Sequence, residues 1–362
     1  MKTVHILFTC DIGGIEVLCR DYAKYSKNEN LFLIIKGKGV IAKEIKELGG
    51  NVVELEAEKV GTLSAFRAAI KICTEDDVVC IVTHHEAPIS NVIMGISKML
   101  KPQIMTISYA HSAAEDMLIK GWGLKAAISN TIMKCSIRFA DKVIAISEFV
   151  KRSVIKNFEI SEHKIDVIYN GTDLALNSIN INSEQVNRKN IIYVGRLIQE
   201  KGIQNTLKAL SELDKSKEYN FTIVGDGPYK KELEKLTKNY QLLGKVKFLG
   251  SRRDIKELLA NSGIFIHMPD WEEGFGITVV EAMASGVVCV CADKGALSEI
   301  LDNGHYGYIV KNIAELTFVL NRILDDTDES KKEYFTKRRL AWERAKDFSV
   351  EIFAAKLDQV TR

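Results

Sequence analysis

No run of 18 apolar residues occurs in this 362-residue chain, so no segment is long and apolar enough to be read as a membrane-spanning helix. Zinc-finger spacing is also missing. The seven cysteines, Cys10, Cys19, Cys73, Cys80, Cys135, Cys289 and Cys291, are scattered and odd in number, which points away from a finger-type metal site and a fully paired disulfide framework. A reducing cytoplasm is the expected setting. Net charge is small: 50 Lys and Arg against 48 Asp and Glu leave +2, so charge alone implies no global pull toward nucleic acid or membrane. No internal repeat or low-complexity tract stands out. Residues 1–8, MKTVHILF, turn strand-like at once, and no secretory leader is expected.

What is present is enough apolar residue, 46% of the chain, to build real cores, over a length that suits two domains. Short β-rich apolar runs alternate with amphipathic helical stretches. Buried strands are expected at 3–8, 31–35, 78–82, 104–109, 143–146 and 167–169, and helices at 16–26 and 42–48. This is the βαβ signature of a parallel sheet covered on both faces. The pattern breaks in the Asn-rich stretch 170–190 and restarts with strands at 191–194, 221–224, 246–248, 264–267 and 287–291. Cys289 and Cys291 share one face of the last of these and are read as core. The fold class is therefore α/β, with two Rossmann-like doubly wound halves. The predicted domains are 1–171, a linker 172–189, a second domain 190–344, and a closing segment 345–362 with an amphipathic helix at 350–361. In such sheets ligands sit at the carboxyl ends of the strands.

The strongest local signal is PDWEEGFGITVVEAMASG at 269–286. A strand ends near His267, a loop follows, and a helix begins near Gly276. Gly274 and Gly276 permit close backbone approach to a ligand, and free amides at a helix start favour an anion or a polar sugar edge. Glu273 and Glu281 are eight residues apart, roughly 10 Å in mostly helical rise, about the reach from a donor sugar past a diphosphate to a ribose. Spacing alone fits a capping and a solvated glutamate equally well. A second cluster is YVGRLIQEKG at 193–202. There Arg196 can grip phosphate oxygens in a fork and Lys201 adds a point charge. Two surface cations near a helix start are the plainer reading.

The segment 269–286 resembles the Glu-x7-Glu motif of retaining GT-B glycosyltransferases, and in particular glycosyltransferase family 4. The Glu-Gly-Phe-Gly turn and the Glu-Ala-Met-Ala-x-Gly stretch fit the same pattern. The resemblance covers nearly all of the second half and, more weakly, the first. It implies the GT-B fold, with an acceptor-binding first domain, a nucleotide-sugar-binding second domain, and a last helix that crosses back to the first. It implies that Glu281 binds the ribose, and that Glu273 with the amides of Gly274, Phe275, Gly276 and Ile277 holds the donor sugar and diphosphate. Arg196 and Lys201 would bind the diphosphate. The loop with Arg252 and Asp254 would read the base through its backbone. The Gly-Asp-Gly-Pro turn at 225–228 is taken as mainly structural.

In the first half the turn Asp11-Ile12-Gly13-Gly14-Ile15-Glu16 is not a complete Gly-x-Gly-x-x-Gly fingerprint, which counts against a dehydrogenase. It resembles the family's Gly-Gly-x-Glu turn, which implies that Gly14 abuts the donor phosphate. His111 follows a strand where the family often places a His near the donor sugar; its neighbour is Ser112 where an acidic residue or Asn is usual. His84-His85-Glu86 ends a strand but lacks a third ligand, and acceptor contact or plain surface is expected over a metal. Asp326-Thr327-Asp328 matches Asp-x-Asp, yet follows a helix in a polar run, and is expected to be a solvated loop.

Residues 117–156 carry eight cations, Lys120, Lys125, Lys134, Arg138, Lys142, Lys151, Arg152 and Lys156, against Asp141 and Glu148, a local +6. Trp122, Leu124, Ile128, Ile132 and Met133 add apolar partners. Such a surface can rest on anionic lipid; an ordinary helix pair with solvated lysines fits as well. The expected activity is metal-independent, retaining transfer of a sugar from a nucleotide sugar, UDP-linked by family frequency, to a saccharide or lipid-linked acceptor. No nucleic-acid partner and no cofactor are expected. The setting would be polysaccharide or glycoconjugate synthesis at the cytoplasmic face of the membrane. A non-hydrolysing nucleotide-sugar epimerase would need further acid and base groups. A non-catalytic partner of the same fold should have lost Arg196, Lys201, Glu273 and Glu281.

Overall fold

The computed structural model describes residues 1–11, 13–84, 87–118, 123–174, 181 and 186–362, with Lys59 and Val60 described by backbone only. His85, Glu86, Lys120, Trp122, Ile12 and most of the 172–189 linker lie outside the described residues. The chain forms two compact units. One comprises Met1–Asp173 together with Val350–Arg362, the other Leu174–Ser349.

The first unit is built on seven strands: β1 (Lys2–Leu7), β2 (Glu29–Ile34), β3 (Asn51–Glu54), β4 (Val78–Thr83), β5 (Met105–Ala110), β6 (Lys142–Ala145) and β7 (Ile165–Val167). They pair in the order β3-β2-β1-β4-β5-β6-β7, all parallel. The second unit has β8 (Asn190–Val194), β9 (Asn220–Val224), β10 (Val246–Gly250), β11 (Ile264–His267), β12 (Val288–Ala292) and β13 (Tyr308–Val310), ordered β10-β9-β8-β11-β12-β13 and again all parallel. Both are doubly wound α/β sheets. The order in which successive strands are added reverses between β1 and β4, and between β8 and β11. These switch points are where such folds bind ligands.

Continuous apolar runs form the central strands because helices cover both faces. Every residue of β12, Val288–Ala292, is buried, and Cys289 and Cys291 are core residues in it. The helix Val350–Val360 belongs to the first unit. The Asp358 carboxylate on it accepts from Tyr22 Oη at 2.7 Å and from the Lys27 amide at 2.8 Å. Val350 N–H donates to Thr172 O, and a Cβ on Gly171 would lie 2.7 Å from Val350 Cα, so only glycine allows this approach.

The structure departs from the sequence expectation in several places. The strand expected at 167–169 ends at Val167, because the chain joins β6 from Ile165 onward. The edge strands β3 and β13 were not expected. Asp326-Thr327-Asp328 is exposed, as expected, but only its first two residues are loop, because the third opens a helix. Thr327 caps the helix Asp328–Ala345, its side chain accepting from Ser330 N–H, while Asp326 pairs with Arg188 at 3.0 Å. Met133 is buried among core residues, so it supplies nothing to a lipid-facing surface. Leu124 and Ile128 on the same helix, Leu124–Phe139, are exposed.

Candidate active site

The site in the second unit grows from two turns that leave adjacent strands. After β8 the chain turns through Gly195 and Arg196. Tyr193 Oη donates to Arg196 O at 3.2 Å, and Leu197 is fully buried. A single 3-10 turn, Gln199–Lys201, then ends at Gly202, whose φ of +68° is left-handed. A Cβ there would sit 1.6 Å from Met268 O, so the turn can dock on the end of β11 only with glycine. Asp270 N–H donates to Glu200 O at 2.9 Å, and the Asp270 carboxylate accepts from Gln204 and Asn205 at 2.8 Å each. Lys201 is thereby carried onto the turn that follows β11.

There the Lys201 ammonium lies 2.8 Å from Glu273 Oε2 and 4.9 Å from the centroid of the Trp271 ring. The same carboxylate oxygen is 3.0 Å from His267 Nε2, at the end of β11. The backbone of Glu273 is equally held, since its carbonyl accepts from Ala296 N–H at 2.8 Å. Burial pushes the Glu273 carboxyl up, but the hydrogen bond from His267 and the charge of Lys201 outweigh it and bring it down to about 2. Glu273 is therefore a carboxylate acceptor at any working pH, and no proton donor.

The helix Ile277–Ala284 starts immediately beyond, at Gly276 (φ +103°), and no side chain caps it. A Cβ on Gly276 would meet Leu297 Cδ2 at 2.9 Å. Phe275 turns its ring inward against Phe348, at 5.7 Å between centroids, which presents this turn by its backbone. Glu281 is half-buried on the following turn of the helix. Arg196 is exposed, and its guanidinium makes no hydrogen bond or ion pair to a described residue. Arg252 forks onto Asp254, with Nε–Oδ1 at 2.8 Å and Nη2–Oδ2 at 2.6 Å. The two therefore satisfy one another at the start of the helix Ile255–Ala260. Gly225 and Gly227 let neighbouring turns touch: their Cβ atoms would fall 1.9 Å from Gly195 O and 2.4 Å from Leu197 O.

In the first unit Gly14 opens the helix Gly14–Tyr25, and a Cβ there would meet open space. His111 follows β5. Its ring stacks on Tyr109 at 4.4 Å, and its Nε2 lies 3.3 Å from His84 Nδ1. His84 is 1% exposed, so the surface reading of that residue is corrected: its ring turns into the sheet. His267 and Trp271 are the neighbours that sequence reasoning did not assign. His267 and Trp271 lie within or beside the 269–286 segment, so proximity was the one available signal. The sequence singles out His84 at its strand end, but nothing in spacing marks it as a neighbour of His111.

A family model described as Glycosyltransferase Family 4 matches residues 12–176, and one described as Glycosyl transferases group 1 matches residues 177–339. The N,N'-diacetylbacillosaminyl-diphospho-undecaprenol alpha-1,3-N-acetylgalactosaminyltransferase of Campylobacter jejuni is 30% identical over 341 residues, covering 86% of this chain and 77% of that protein. An uncharacterised glycosyltransferase of Methanocaldococcus jannaschii is 28% identical over 242 residues, covering 61% of this chain and 62% of the relative. Among solved structures, Anabaena HepE in complex with UDP superposes with a TM-score of 0.83 at 21% identity, over 99% of both chains. The two parallel-sheet domains have the GT-B fold, and the chain belongs to glycosyltransferase family 4.

Proposed function

We propose that this glycosyltransferase moves a hexosyl group from a UDP-sugar to a saccharide or lipid-linked acceptor, with retention at the anomeric carbon and without a metal. The observation that carries the reading is the Lys201–Glu273 pair at the β8/β11 switch point, beside a helix start that no side chain caps. UDP is bound by the Anabaena relative of similar fold, and the Campylobacter relative's name describes an undecaprenyl-diphosphate-linked acceptor.

Arg196 and Lys201 supply the positive charge that a departing diphosphate needs as its bond to the sugar breaks. Glu273, kept ionised, accepts from sugar hydroxyls. The amides of Gly274, Phe275, Gly276 and Ile277 face the diphosphate and sugar, Glu281 takes the ribose, and the Arg252–Asp254 loop takes the base through its backbone. Gly14 and His111 are the first-unit residues assigned to the donor. Lys201 and His267 already hold Glu273, so it is not offered as a covalent nucleophile. The anomeric carbon–phosphate oxygen bond breaks, the acceptor oxygen bonds to the same face, and the acceptor proton passes to the leaving phosphate.

A peripheral contact with anionic membrane at the cytoplasmic face belongs to the same reading. Leu124, Ile128 and Phe139 are exposed on one helix with Lys125, Lys134 and Arg138. No helix among the described residues is long and apolar enough to cross a membrane. The test of the function is turnover with a panel of nucleotide sugars and polyprenyl-diphosphate saccharides. Transfer with a retained anomer is expected. Interconversion of the free nucleotide sugars without transfer would favour an epimerase, and no UDP binding at all would overturn the reading.

A further inference from the structure

Three imidazoles and one amide cross the first sheet in a single row. Asn30 on β2 pairs beside Thr3, His5 on β1 lies beside Val82, and His84 and His111 follow β4 and β5. Strand order β2-β1-β4-β5 therefore brings together residues far apart in sequence. Asn30 Oδ1 is 3.1 Å from His5 Nε2, His5 Nδ1 is 2.9 Å from His84 Nε2, and His84 Nδ1 is 3.3 Å from His111 Nε2. His5 is fully buried and His84 nearly so. Flanking rings hold the row: His5 stacks on Phe32 at 5.1 Å and His84 on Tyr109 at 5.2 Å.

One group fixes the direction of every proton in this row. The Asn30 Nδ2 lies 3.2 Å from the Asn28 carbonyl and 2.7 Å from Ser26 Oγ. A backbone carbonyl only accepts, so the amide nitrogen faces it and Oδ1 must face His5. His5 therefore donates from Nε2. Burial lowers its pKa to about 4, so it is neutral and its Nδ1 is an acceptor. His84 must then donate from Nε2, which leaves its Nδ1 to accept from His111 Nε2–H. Beyond Asn30, Ser26 Oγ donates to Asp358 Oδ1 at 2.5 Å. Every donor in the row points toward that carboxylate, an alignment in which successive hydrogen bonds polarise one another.

We propose that His84, backed by His5, Asn30 and Asp358, is a positioning residue that holds His111 as its Nε2–H tautomer, with Nδ1 as the acceptor atom. A histidine's role is set by the hydrogen bond on its other nitrogen. The kinetic consequence rests on the function proposed above, in which His111 serves the donor; the tautomer assignment does not.

The test is nitrogen-15 NMR of the full chain with labelled histidine, together with kinetics of two variants. All three histidines should carry the proton at Nε2, and the His111 Nε2–H signal should be shielded from exchange. In His84→Phe that signal should be lost. Turnover should fall by roughly tenfold with the donor KM unchanged, and His84→Asn, which can return an acceptor near the Nδ1 position, should recover most of it. Cooperative thermal unfolding, with the His5 ring signals of the same unit unchanged, serves as the folding control. A proton at Nδ1 of His84 or His111 in the unsubstituted chain overturns the proposal, as does an unchanged His111 signal in a folded His84→Phe. A shielded Nε2–H in a chain that transfers no sugar would leave the tautomer assignment standing and reject the function.

Discussion

Lys201 and Glu273 meet at 2.8 Å across 72 residues of sequence because β8 and β11 are hydrogen-bonded neighbours. With His267 on the same oxygen, the carboxylate is held from two sides.

That pair makes stability depend on pH in a definite direction. The Glu273 carboxyl falls from an ordinary 4.5 to about 2 in the fold. A depressed value stabilises above the unfolded pKa and is lost as pH falls through the folded one. The stability difference between the chain and Glu273→Gln should be constant above pH 4.5 and shrink between 4.5 and 2, by on the order of 3 kcal/mol at most. Urea titrations of both across that range would show it. A difference that stays flat down to pH 2 would contradict the ion-pair account.

Lys201→Ala should mainly lower turnover, by roughly 100-fold, because the diphosphate gains charge only on the way to the transition state. Glu281→Ala should mainly raise the donor KM, since a ribose contact is made equally before and during transfer. Normal turnover in Lys201→Ala with only a raised KM would reverse the assignment.

Gly202→Ala forces a Cβ into the Met268 carbonyl at a left-handed φ and should destabilise the second unit by more than about 3 kcal/mol. Gly14→Ala meets open space and should leave thermal stability within about 0.5 kcal/mol. If Gly14 abuts the donor phosphate, activity should fall even so. Calorimetry of both variants checks the contrast, and equal melting temperatures for the two would refute the steric argument.

Activity should survive excess chelator if, as proposed, Arg196 and Lys201 provide the charge compensation that a divalent ion gives elsewhere. The measurement is turnover in EDTA; loss restored by magnesium or manganese would reject metal independence.

Vesicles of anionic lipid should retain the chain at low salt, and vesicles of zwitterionic lipid should not. Leu124→Ser with Ile128→Ser should weaken retention several-fold, since both side chains are exposed. Retention unaffected by that double substitution would place any lipid contact elsewhere.

The central strands were legible because parallel, doubly covered strands must be almost continuously apolar, and VVCIV or VCVCA satisfies that in the sequence itself. β3 and β13 were not. They are edge strands of four and three residues with half-exposed side chains, and their pairing is decided by the neighbouring strand more than by their own pattern. The ends of β8 and β11 could be located in the sequence, as could the charged residues beyond them. Their meeting could not, because strand order is a tertiary property. His84 shows the limit more sharply. A histidine at a strand end reads as surface until the next strand over is known to carry His5 at hydrogen-bonding distance.

The first unit is discontinuous, since its helix Val350–Val360 comes after the whole of Leu174–Ser349. On the ribosome the order of completion is thus inverted. The second unit has all its strands available while the first still lacks Asp358, the acceptor for Tyr22, Ser26 and Lys27. The half that is synthesised first is the last able to close its core, and until then the surface of helix Gly14–Tyr25 stands exposed to chaperones and proteases.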